Sequence, residues 1–308
     1  MGEGGRPLPA VGVDLGGTKL AVGIVDEAGR ILKKHLEPTN PEEGSQAILR
    51  RMIKGIEQVW QGEIKGIGIG CPGTVDASRG EVIFAPNLGW RGVSVGPFIQ
   101  GEFKLPVVVD NDANAAAVGE LKVGGGQGCR NMIYLTVSTG IGAGIIINGQ
   151  IYRGSTFRAG EVGHMALAPD GPLCSCGNRG CLEAFASGTS IARMAMEAIN
   201  RGLPTSMRGE VDARMVAASA REGDQLAKEI LTSAFRYLSM GIGNLLNIFD
   251  PELIIIGGGL SAMGDQLLQP VREGVVHYAW LREKAKERVV LSKLGQDIGL
   301  IGAASLVL

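Results

Sequence analysis

The sequence predicts an α/β fold, and three observations support that prediction. Apolar runs typical of buried strands, such as residues 10–13 and 252–256, lead into glycine-rich turns. Two strand–turn–strand units of the same design begin near residues 10 and 132. A helical pattern of apolar residues extends over 225–249. Strands combined with helices of this length indicate a layered α/β protein.

The composition excludes several classes of partner. The chain has 308 residues, enough for one large or two medium domains, and its formal net charge is −1. That balance supplies no basic surface for nucleic-acid phosphates or anionic membranes. Residues 1–10 lack the regions of an export signal, and no apolar run approaches the ~18 residues of a membrane span. Three of the five cysteines share one loop, which suits a reducing cytosol, so we expect a soluble, cytoplasmic protein.

In the first strand–turn–strand unit, the first strand ends at an acidic residue, Asp14. The turn between the predicted strands 10–13 and 20–25 reads Asp14-Leu15-Gly16-Gly17-Thr18-Lys19. Its glycines let backbone N–H groups face phosphate oxygens, Thr18 adds a hydroxyl, and Asp14 can hold Mg²⁺ directly or through water. The turn is not a Walker motif. Taken alone, an ordinary β-hairpin is an equally good interpretation.

Further elements follow along the chain. The pattern predicts a strand at 31–36, a helix at 41–60, a strand at 65–70, a polar loop at 85–90 that contains Asn87, and a short helix at 95–103. Beyond residue 183 it predicts helices at 187–200, 211–221 and 225–249, another from Ser261, and a closing helix at 302–307.

An Asx-rich junction is the candidate for catalysis. The apolar strand 106–109 runs directly into Asp110-Asn111-Asp112-Ala113-Asn114 and an alanine-rich helix. Asx residues cap helices, which accounts for one of these four side chains. Ligands of α/β folds bind beyond the carboxyl ends of strands, so the others indicate a site. We predict Asp112 as a base and Asn111 as a ligand for hydroxyl groups.

The second strand–turn–strand unit repeats the design of the first. Strand 132–137 leads into Ser138-Thr139-Gly140-Ile141-Gly142-Ala143-Gly144 and a strand at 145–147. Its glycine spacing fails the dinucleotide fingerprint. Two such units suggest related halves that clamp a polyphosphate. The strand at 252–256 ends at Gly257-Gly258-Gly259, where backbone without side chains suits a ribose or a flat ring, the site expected for adenosine.

The segment from Gly160 to Glu183 carries a predicted metal site. One imidazole and three thiols lie within eighteen positions, on His164, Cys174, Cys176 and Cys181. This set suits tetrahedral Zn²⁺ and leaves no ligand position for water, so the metal is predicted to be structural. The alternative to a metal site is a pair of buried thiols with an unrelated histidine nearby. Folding around the ion would gather Glu161, Glu183 and the free nitrogen of His164 into a group suited to a polyhydroxylated ligand; otherwise both acids are solvated charges.

These motifs resemble those of the ROK family of sugar kinases and repressors, most closely its ATP-dependent bacterial glucokinases. The segments 14–19 and 139–144 are similar to its two phosphate motifs, and 257–259 to its adenosine motif. The residues from Glu161 to His164 and from Cys174 to Glu183 are similar to its zinc-and-sugar signature, which is specific where one glycine-rich turn is not. The match covers nearly the whole chain without departures at these positions. The DNA-binding extension of repressor members is expected to be absent.

This resemblance implies a two-lobed, actin-like ATPase fold (ribonuclease H-like), of the α/β class, with the ligand cleft between the lobes. The small domain would comprise residues 1–118 completed by about 296–308, and the large domain residues 119–295 with the zinc loop. The implied function is that of a glucokinase of glycolysis, which transfers the ATP γ-phosphoryl group to the 6-hydroxyl of glucose. A dimer or tetramer is implied. N-acetylglucosamine, N-acetylmannosamine, mannose or fructose as substrate, polyphosphate as donor, and a non-catalytic sugar-sensing repressor are the alternatives.

The resemblance also implies roles for individual residues. Sugar hydroxyls would contact Asn87, Asn111, Asp112, Glu161, His164 and Glu183, with Asp112 as the catalytic base. ATP, with Mg²⁺ associated with Asp14, would bind at Asp14, Gly16, Gly17, Thr18, Lys19, Thr139, Gly140, Gly142, Gly257, Gly258 and Gly259. Structural zinc would bind His164, Cys174, Cys176 and Cys181. Zinc would act indirectly, by ordering the loop that meets the sugar before the sugar binds.

Overall fold

The computed structural model describes residues 7–308, which form two compact units. Unit 1 contains the described residues up to Gly128, together with Gly144–Ala159 and Gln296–Leu308; unit 2 contains Cys129–Ala143 and Gly160–Gly295. The domain division expected from the sequence, at residues 118 and 295, stays a prediction. The export-signal interpretation rests in part on residues 1–6, which lie outside the described residues. Within residues 7–308, no helix has both the length and the hydropathy to cross a membrane.

Unit 1 is built on a mixed five-stranded sheet. In chain order its strands are β1 (Ala10–Leu15), β2 (Lys19–Val25), β3 (Ile31–Pro38), β4 (Ile67–Cys71), β5 (Thr74–Asp76), β6 (Glu81–Ala85), β7 (Trp90–Ser94) and β8 (Val107–Asn111). The main sheet has the order β3-β2-β1-β4-β8, and β5-β6-β7 form a small sheet that the sequence did not predict. Because β1, β4 and β8 are parallel, Asp14 and the Asx junction lie at the same edge of the sheet.

The helices of unit 1 cover this sheet. They are α1 (Ser45–Val59), α2 (Val95–Phe103), α3 (Asp112–Val123) and a C-terminal helix, Ile298–Ser305. The apolar face of α1 buries Ile48, Met52 and Ile56 in the core of the unit. The helix α3 crosses the C-terminal helix through glycines: a Cβ at Gly119 would lie 2.8 Å from the Cα of Gly302. Such close backbone approach requires residues without side chains.

Unit 2 combines parallel strands with a helical layer. The strands that follow in the chain are β9 (Met132–Val137), β10 (Ile141–Ile147), β11 (Gln150–Ile151), β12 (Leu253–Gly257) and β13 (Val289–Leu291). In unit 2, β9, β12 and β13 pair in parallel, in the order β9-β12-β13. The helices of unit 2 are α4 (Leu182–Ala186), α5 (Gly188–Asn200), α6 (Ala213–Arg221), α7 (Gln225–Phe249) and α8 (Asp265–Val275). The C-terminal helix of unit 1, Ile298–Ser305, is numbered α9. One face of α7 is buried from Leu226 to Leu246, as its apolar spacing predicted.

Most predicted elements are confirmed, with shifts of a few residues at their ends. The helix expected at 41–60 begins as a 3-10 turn, Pro41–Glu43, and α1 starts at Ser45. The helix expected from Ser261 is a 3-10 turn, Gly259–Met263, before α8. Both predictions missed an interrupting glycine with positive φ, Gly44 (83°) or Gly264 (60°), which an α-helix does not accommodate. The closing helix begins at Ile298 rather than at residue 302.

Candidate active site

The Asx junction connects β8 to α3 through a network of buried hydrogen bonds. Asp110 is 0% exposed. Its Oδ1 accepts from Nδ2 of Asn114 at 2.9 Å, and its Oδ2 accepts from Nε and Nη2 of Arg153 at 2.9 and 2.7 Å. A buried carboxylate requires such partners, because desolvation of an unpaired charge is costly. Asp110 and Asn114 therefore hold the junction together.

Asn111 caps α3. Its Oδ1 accepts from the N–H groups of Ala113 at 2.9 Å and Asn114 at 3.3 Å, and its Nδ2 donates to the carbonyl of Gly73 at 3.0 Å. The capping interpretation is thus confirmed for Asn111. Its predicted contact with a hydroxyl group stays a prediction.

Asp112 differs from its three Asx neighbours in being exposed. It is the first residue of α3, and its Oδ1 accepts from the N–H of Ala113 at 2.8 Å. The positive end of the helix favours the ionised carboxylate. The capped helix also fixes the position of this side chain, so the junction presents a charged, accessible acceptor on a rigid element. Such an acceptor can take a proton from a bound hydroxyl group.

The first glycine-rich turn is a hairpin between β1 and β2, closed by a hydrogen bond from the Gly16 N–H to the Lys19 carbonyl at 2.9 Å. The Thr39 hydroxyl donates to the Gly16 carbonyl at 2.7 Å, and this further fixes the turn. Asn87 lies on the 3-10 turn Pro86–Leu88 and is exposed; a Cβ at Gly17 would lie 3.5 Å from its Cβ. The residue predicted to bind sugar therefore lies beside the turn predicted to bind phosphate.

Asp14 lies at the end of β1 and is largely buried. Burial raises the pKa of Asp14 to about 6, against the opposing charges of Lys19 and Lys34. A Cβ at Gly299, in the first turn of α9, would overlap the Asp14 carboxylate, so any larger residue there would displace that side chain. Carboxylate oxygens are the ligands that Mg²⁺ prefers, and a carboxylate raised in pKa by burial gains from a nearby cation. Asp14 therefore fits its predicted role in holding Mg²⁺.

The predicted zinc ligands converge in unit 2. The ligand atoms of His164, Cys174, Cys176 and Cys181 all lie within 4.8 Å of one another. Nδ1 of His164 is 3.6 Å from Sγ of Cys174, and Sγ of Cys176 is 3.7 Å from Sγ of Cys181. Tetrahedral Zn²⁺ with ordinary bond lengths separates nitrogen from sulfur by about 3.6 Å and sulfur from sulfur by about 3.8 Å. The donor set thus fits zinc in both geometry and chemistry.

Tight turns bring these ligands together. The N–H of Cys174 donates to the carbonyl of Asn178 at 2.8 Å, and the N–H of Gly177 donates to the carbonyl of Cys174 at 3.0 Å. Gly177 and Gly180 have φ values of 90° and 71°, in the left-handed region that favours glycine. Glycine at these two positions therefore lets the loop turn tightly between the ligands.

Glu161 accompanies the imidazole of His164. Its Oε2 lies 3.8 Å from Nε2 of His164, and its side chain is 52% exposed. Because Nδ1 faces the thiols, Nε2 is the nitrogen directed towards Glu161. The Gly160 carbonyl accepts from the N–H of Ala143 at 2.9 Å, which fixes this segment against β10. The expected proximity of Glu161 to the free ring nitrogen is confirmed, and their roles stay predictions.

Glu183 contacts the second glycine-rich turn. Its Oε2 accepts from the N–H of Ile141 at 2.9 Å, and its Oε1 accepts from the Ser175 hydroxyl at 3.3 Å. The turn itself is closed by a hydrogen bond from the Ser138 N–H to the carbonyl of Gly140, two residues on, at 2.9 Å; the first turn is closed from Gly16 to Lys19, three residues on. The sequence suggested a sugar contact for Glu183 and gave no sign of this second attachment.

The predicted adenosine motif packs against the strand that leads into the same turn. Gly258 has a φ of 80°, and a Cβ there would lie 2.6 Å from the carbonyl oxygen of Val137. A Cβ at Gly259 would lie 3.2 Å from the Ser138 hydroxyl oxygen. Unit 2 therefore places the segment 257–259 directly beside the second predicted phosphate turn.

Comparison with known proteins agrees with this geometry. The model of the ROK family matches residues 10–308. The chain belongs to the ROK family. The glucokinase of Streptomyces coelicolor is 40% identical over 96% of each chain. The crystal structure of a ROK family glucokinase from Streptomyces griseus, in complex with glucose and AMPPNP, has a TM-score of 0.84 and 37% identity, covering 97% of this chain and 99% of that chain. The xylose repressor of Caldicellulosiruptor bescii is 32% identical over 97% of this chain and 77% of the repressor.

The ROK structures confirm the predicted fold class, the two-lobed actin-like fold of sugar kinases. In this ROK protein, sequence reasoning missed Arg153, which pairs with Asp110 across 43 positions. It also missed Ser175, whose hydroxyl connects the zinc loop to Glu183. An isolated arginine in a polar loop and a serine between two cysteines carry no distinctive pattern, so only the structure identifies them.

Proposed function

We propose that this protein is an ATP-dependent glucokinase, which converts glucose and ATP to glucose 6-phosphate and ADP. The observation that carries the proposal is the similarity, over nearly the full length of both chains, to a glucokinase whose structure holds glucose and AMPPNP. The glucokinase match at 40% identity also supports it. Two glycine-rich turns and an exposed carboxylate on a rigid helix are the parts that a sugar kinase requires.

Asp112 acts as the general base in this mechanism. The 6-oxygen of glucose forms a bond to the γ-phosphorus of ATP, while the bond from that phosphorus to the β,γ-bridging oxygen breaks and ADP leaves. The proton of the 6-hydroxyl moves to Oδ of Asp112. Asp112 is exposed at the first position of α3 and is held there by the cap of Asn111, so little reorganisation accompanies the transfer.

Sugar binding is assigned to polar and acidic side chains, with zinc as a structural support. The proposed contacts are Asn87, Asn111, Asp112, Glu161, His164 and Glu183. His164 uses Nδ1 for the metal, with the thiolates of Cys174, Cys176 and Cys181, and Nε2 for the sugar. A loop already ordered by its metal does not lose that conformational entropy when glucose binds.

ATP binding uses the glycine-rich segments. Phosphate oxygens accept from backbone N–H groups of the turns at 14–19 and 139–144, and the adenosine lies at 257–259. Mg²⁺ held by Asp14 supplies positive charge to the phosphate oxygens when it is bound. The N–H groups of Gly16, Ser138 and Ile141 already have protein partners, so other N–H groups of these turns meet the phosphates.

A coupled assay of ADP release across a panel of sugars tests the proposal. Glucose, mannose, fructose, N-acetylglucosamine and N-acetylmannosamine are each offered with ATP in this assay. Polyphosphate releases no ADP, so with that donor the sugar phosphate is detected directly. We expect the highest kcat/KM for glucose with ATP, and glucose 6-phosphate as the product. A preference for another hexose or for polyphosphate would redirect the assignment within the kinases. The absence of sugar-dependent ADP release would contradict it.

A sugar-sensing function is the second candidate, favoured by the similarity to a xylose repressor. A sensor binds its sugar with no dependence on ATP and without ADP release, so calorimetry with glucose and with xylose, run beside the coupled assay, separates the two. We further propose that the enzyme acts in cytoplasmic glycolysis as a dimer or tetramer. Sedimentation of the purified protein tests that oligomeric state.

A further inference from the structure

We propose that Glu183 is a positioning residue for nucleotide binding, which holds the second glycine-rich turn in shape and connects it to the zinc loop. The inference rests on the proposed function, because it takes the turn at 138–144 as a phosphate site. It adds to the sugar contact a second role for the same carboxylate. The residues whose contacts carry the inference, in the segments 138–141 and 174–189, all lie in unit 2.

The carboxylate of Glu183 is engaged on both of its oxygens. Oε2 accepts from the N–H of Ile141 at 2.9 Å, inside the turn, and Oε1 accepts from the Ser175 hydroxyl at 3.3 Å. A hydrogen bond from a backbone amide to a carboxylate is stronger than one between neutral groups, so this contact restrains Ile141. The turn and the acid also match in shape: a Cβ at Gly140 would lie only 2.6 Å from Oε2.

Ser175 connects this carboxylate to the metal site. It lies between Cys174 and Cys176, two of the proposed zinc ligands, and Glu183 itself follows the ligand Cys181 by two positions. An ion bound to those thiols fixes Ser175 and the start of α4, and so fixes both ends of the Glu183 side chain. Loss of the ion would release Glu183, and with it the N–H of Ile141.

A second attachment to the same turn provides a control. The N–H of Gly188 donates to the carbonyl of Ser138 at 2.7 Å, and the Thr189 hydroxyl donates to the carbonyl of Thr139 at 2.9 Å. Both donors come from the first turn of α5. The substitution Thr189→Val removes one contact to the turn without touching Glu183 or the zinc ligands.

The charge of Glu183 and its hydrogen bond to the turn have opposite effects on nucleotide binding, so substitutions that separate the two can test its positioning role. A negative carboxylate beside a phosphate site repels phosphate, so its charge alone weakens nucleotide binding. The Glu183 carboxylate therefore favours nucleotide binding only by holding the turn in the correct shape. Glu183→Gln retains an oxygen that accepts from Ile141 and removes the charge, whereas Glu183→Ala removes the acceptor.

The experiment measures AMPPNP binding by calorimetry and exchange of the Ile141 amide, on the full chain with its zinc content determined. For Glu183→Ala we expect the Kd for AMPPNP to rise about tenfold and the Ile141 amide to exchange faster, because a hydrogen bond to a charged group is lost. Glu183→Gln should stay within about threefold of the wild type. Equal Kd and equal exchange in Glu183→Ala and the wild type would overturn the proposal.

Zinc removal tests the connection to the loop. Chelation should speed exchange of the Ile141 amide in the wild type and in Thr189→Val, and should add nothing in Glu183→Ala. If chelation speeds exchange equally in all three, Glu183 does not transmit the state of the zinc loop. A protein that phosphorylates no sugar would contradict the proposed function and still leave the exchange measurements to decide the role of Glu183.

Discussion

The Asx junction of unit 1 and the zinc loop of unit 2 both present carboxylates, but they are organised by different means. At the junction, Arg153 and Asn114 satisfy the buried Asp110, and Asn111 caps the helix that carries Asp112. In the zinc loop, three thiols and an imidazole converge within 4.8 Å. The first region is ordered by the protein's own hydrogen bonds, whereas the second has a set of donors that the proposed zinc ion would complete. Substitutions in the two regions should therefore impair different properties of the protein.

The largest expected effect is on kcat, and it distinguishes Asp112 from Asp110, the other acid of the junction. Asp112→Asn should lower kcat by about 10³-fold, because general-base catalysis contributes 10²–10⁴-fold, while the KM for glucose stays within about threefold. The melting temperature should fall only slightly, since Asp112 is exposed and its charge at the helix end contributes at most about 1 kcal/mol. Asp110→Asn is the matched comparison: it weakens the buried network and should lower the melting temperature instead. A wild-type kcat in Asp112→Asn would exclude this residue as the base.

Removal of Arg153 should chiefly affect stability. Arg153→Ala leaves the buried Asp110 carboxylate without its charged partner, which costs about 3 kcal/mol of unfolding free energy. Arg30 is the control: it pairs with Asp26, but its side chain is 78% exposed, so Arg30→Ala should cost less than about 1 kcal/mol. Urea denaturation measures both. Similar losses in the two variants would show that the Asp110 pair is not specially important to the junction.

Substitution of Asp14 should change the free energy of unfolding by a smaller amount, which depends on pH. Because burial raises its pKa from 3.8 to about 6, the folded protein binds this proton more readily than the unfolded chain does. Its contribution to stability is therefore complete below pH 4 and is lost as the pH rises through 6. Without Mg²⁺ and nucleotide, Asp14→Asn should be more stable than the wild type by roughly 1–3 kcal/mol at pH 8, with little difference at pH 4. A wild type more stable than the variant at pH 8 would contradict the assigned burial.

Local patterns in the sequence were sufficient for much of the fold. Apolar runs predicted the buried strands, and the spacing of α7 predicted its buried face. The ends of elements were harder, because a glycine such as Gly44 or Gly264 interrupts a helix only when its backbone adopts positive φ. The short strands β5 to β7 pair only with one another, across turns with no strong hairpin pattern, and went unpredicted.

In the candidate site, too, some features could be predicted from the local sequence and others could not. The four proposed zinc ligands are close in sequence, so their spacing alone indicated the cluster. Asp110 and Arg153 lie far apart along the chain, and their pairing depends on how the hairpin β10–β11 returns to the end of β8. The attachment of Glu183 to Ile141 likewise spans 42 positions. Long-range contacts of this kind follow from the tertiary structure and leave no local pattern to read.

Steady-state kinetics of a zinc-free form test the central contrast most directly. Cys176 is the exposed cysteine among the proposed zinc ligands, so Cys176→Ala should release zinc without disturbing the core. At saturating ATP, we predict that the KM for glucose rises at least about tenfold, a loss of 1.4 kcal/mol, while kcat at saturating glucose stays within about threefold because the Asx junction needs no metal. An unchanged KM after zinc loss, or a collapse of kcat like that of Asp112→Asn, would contradict the account.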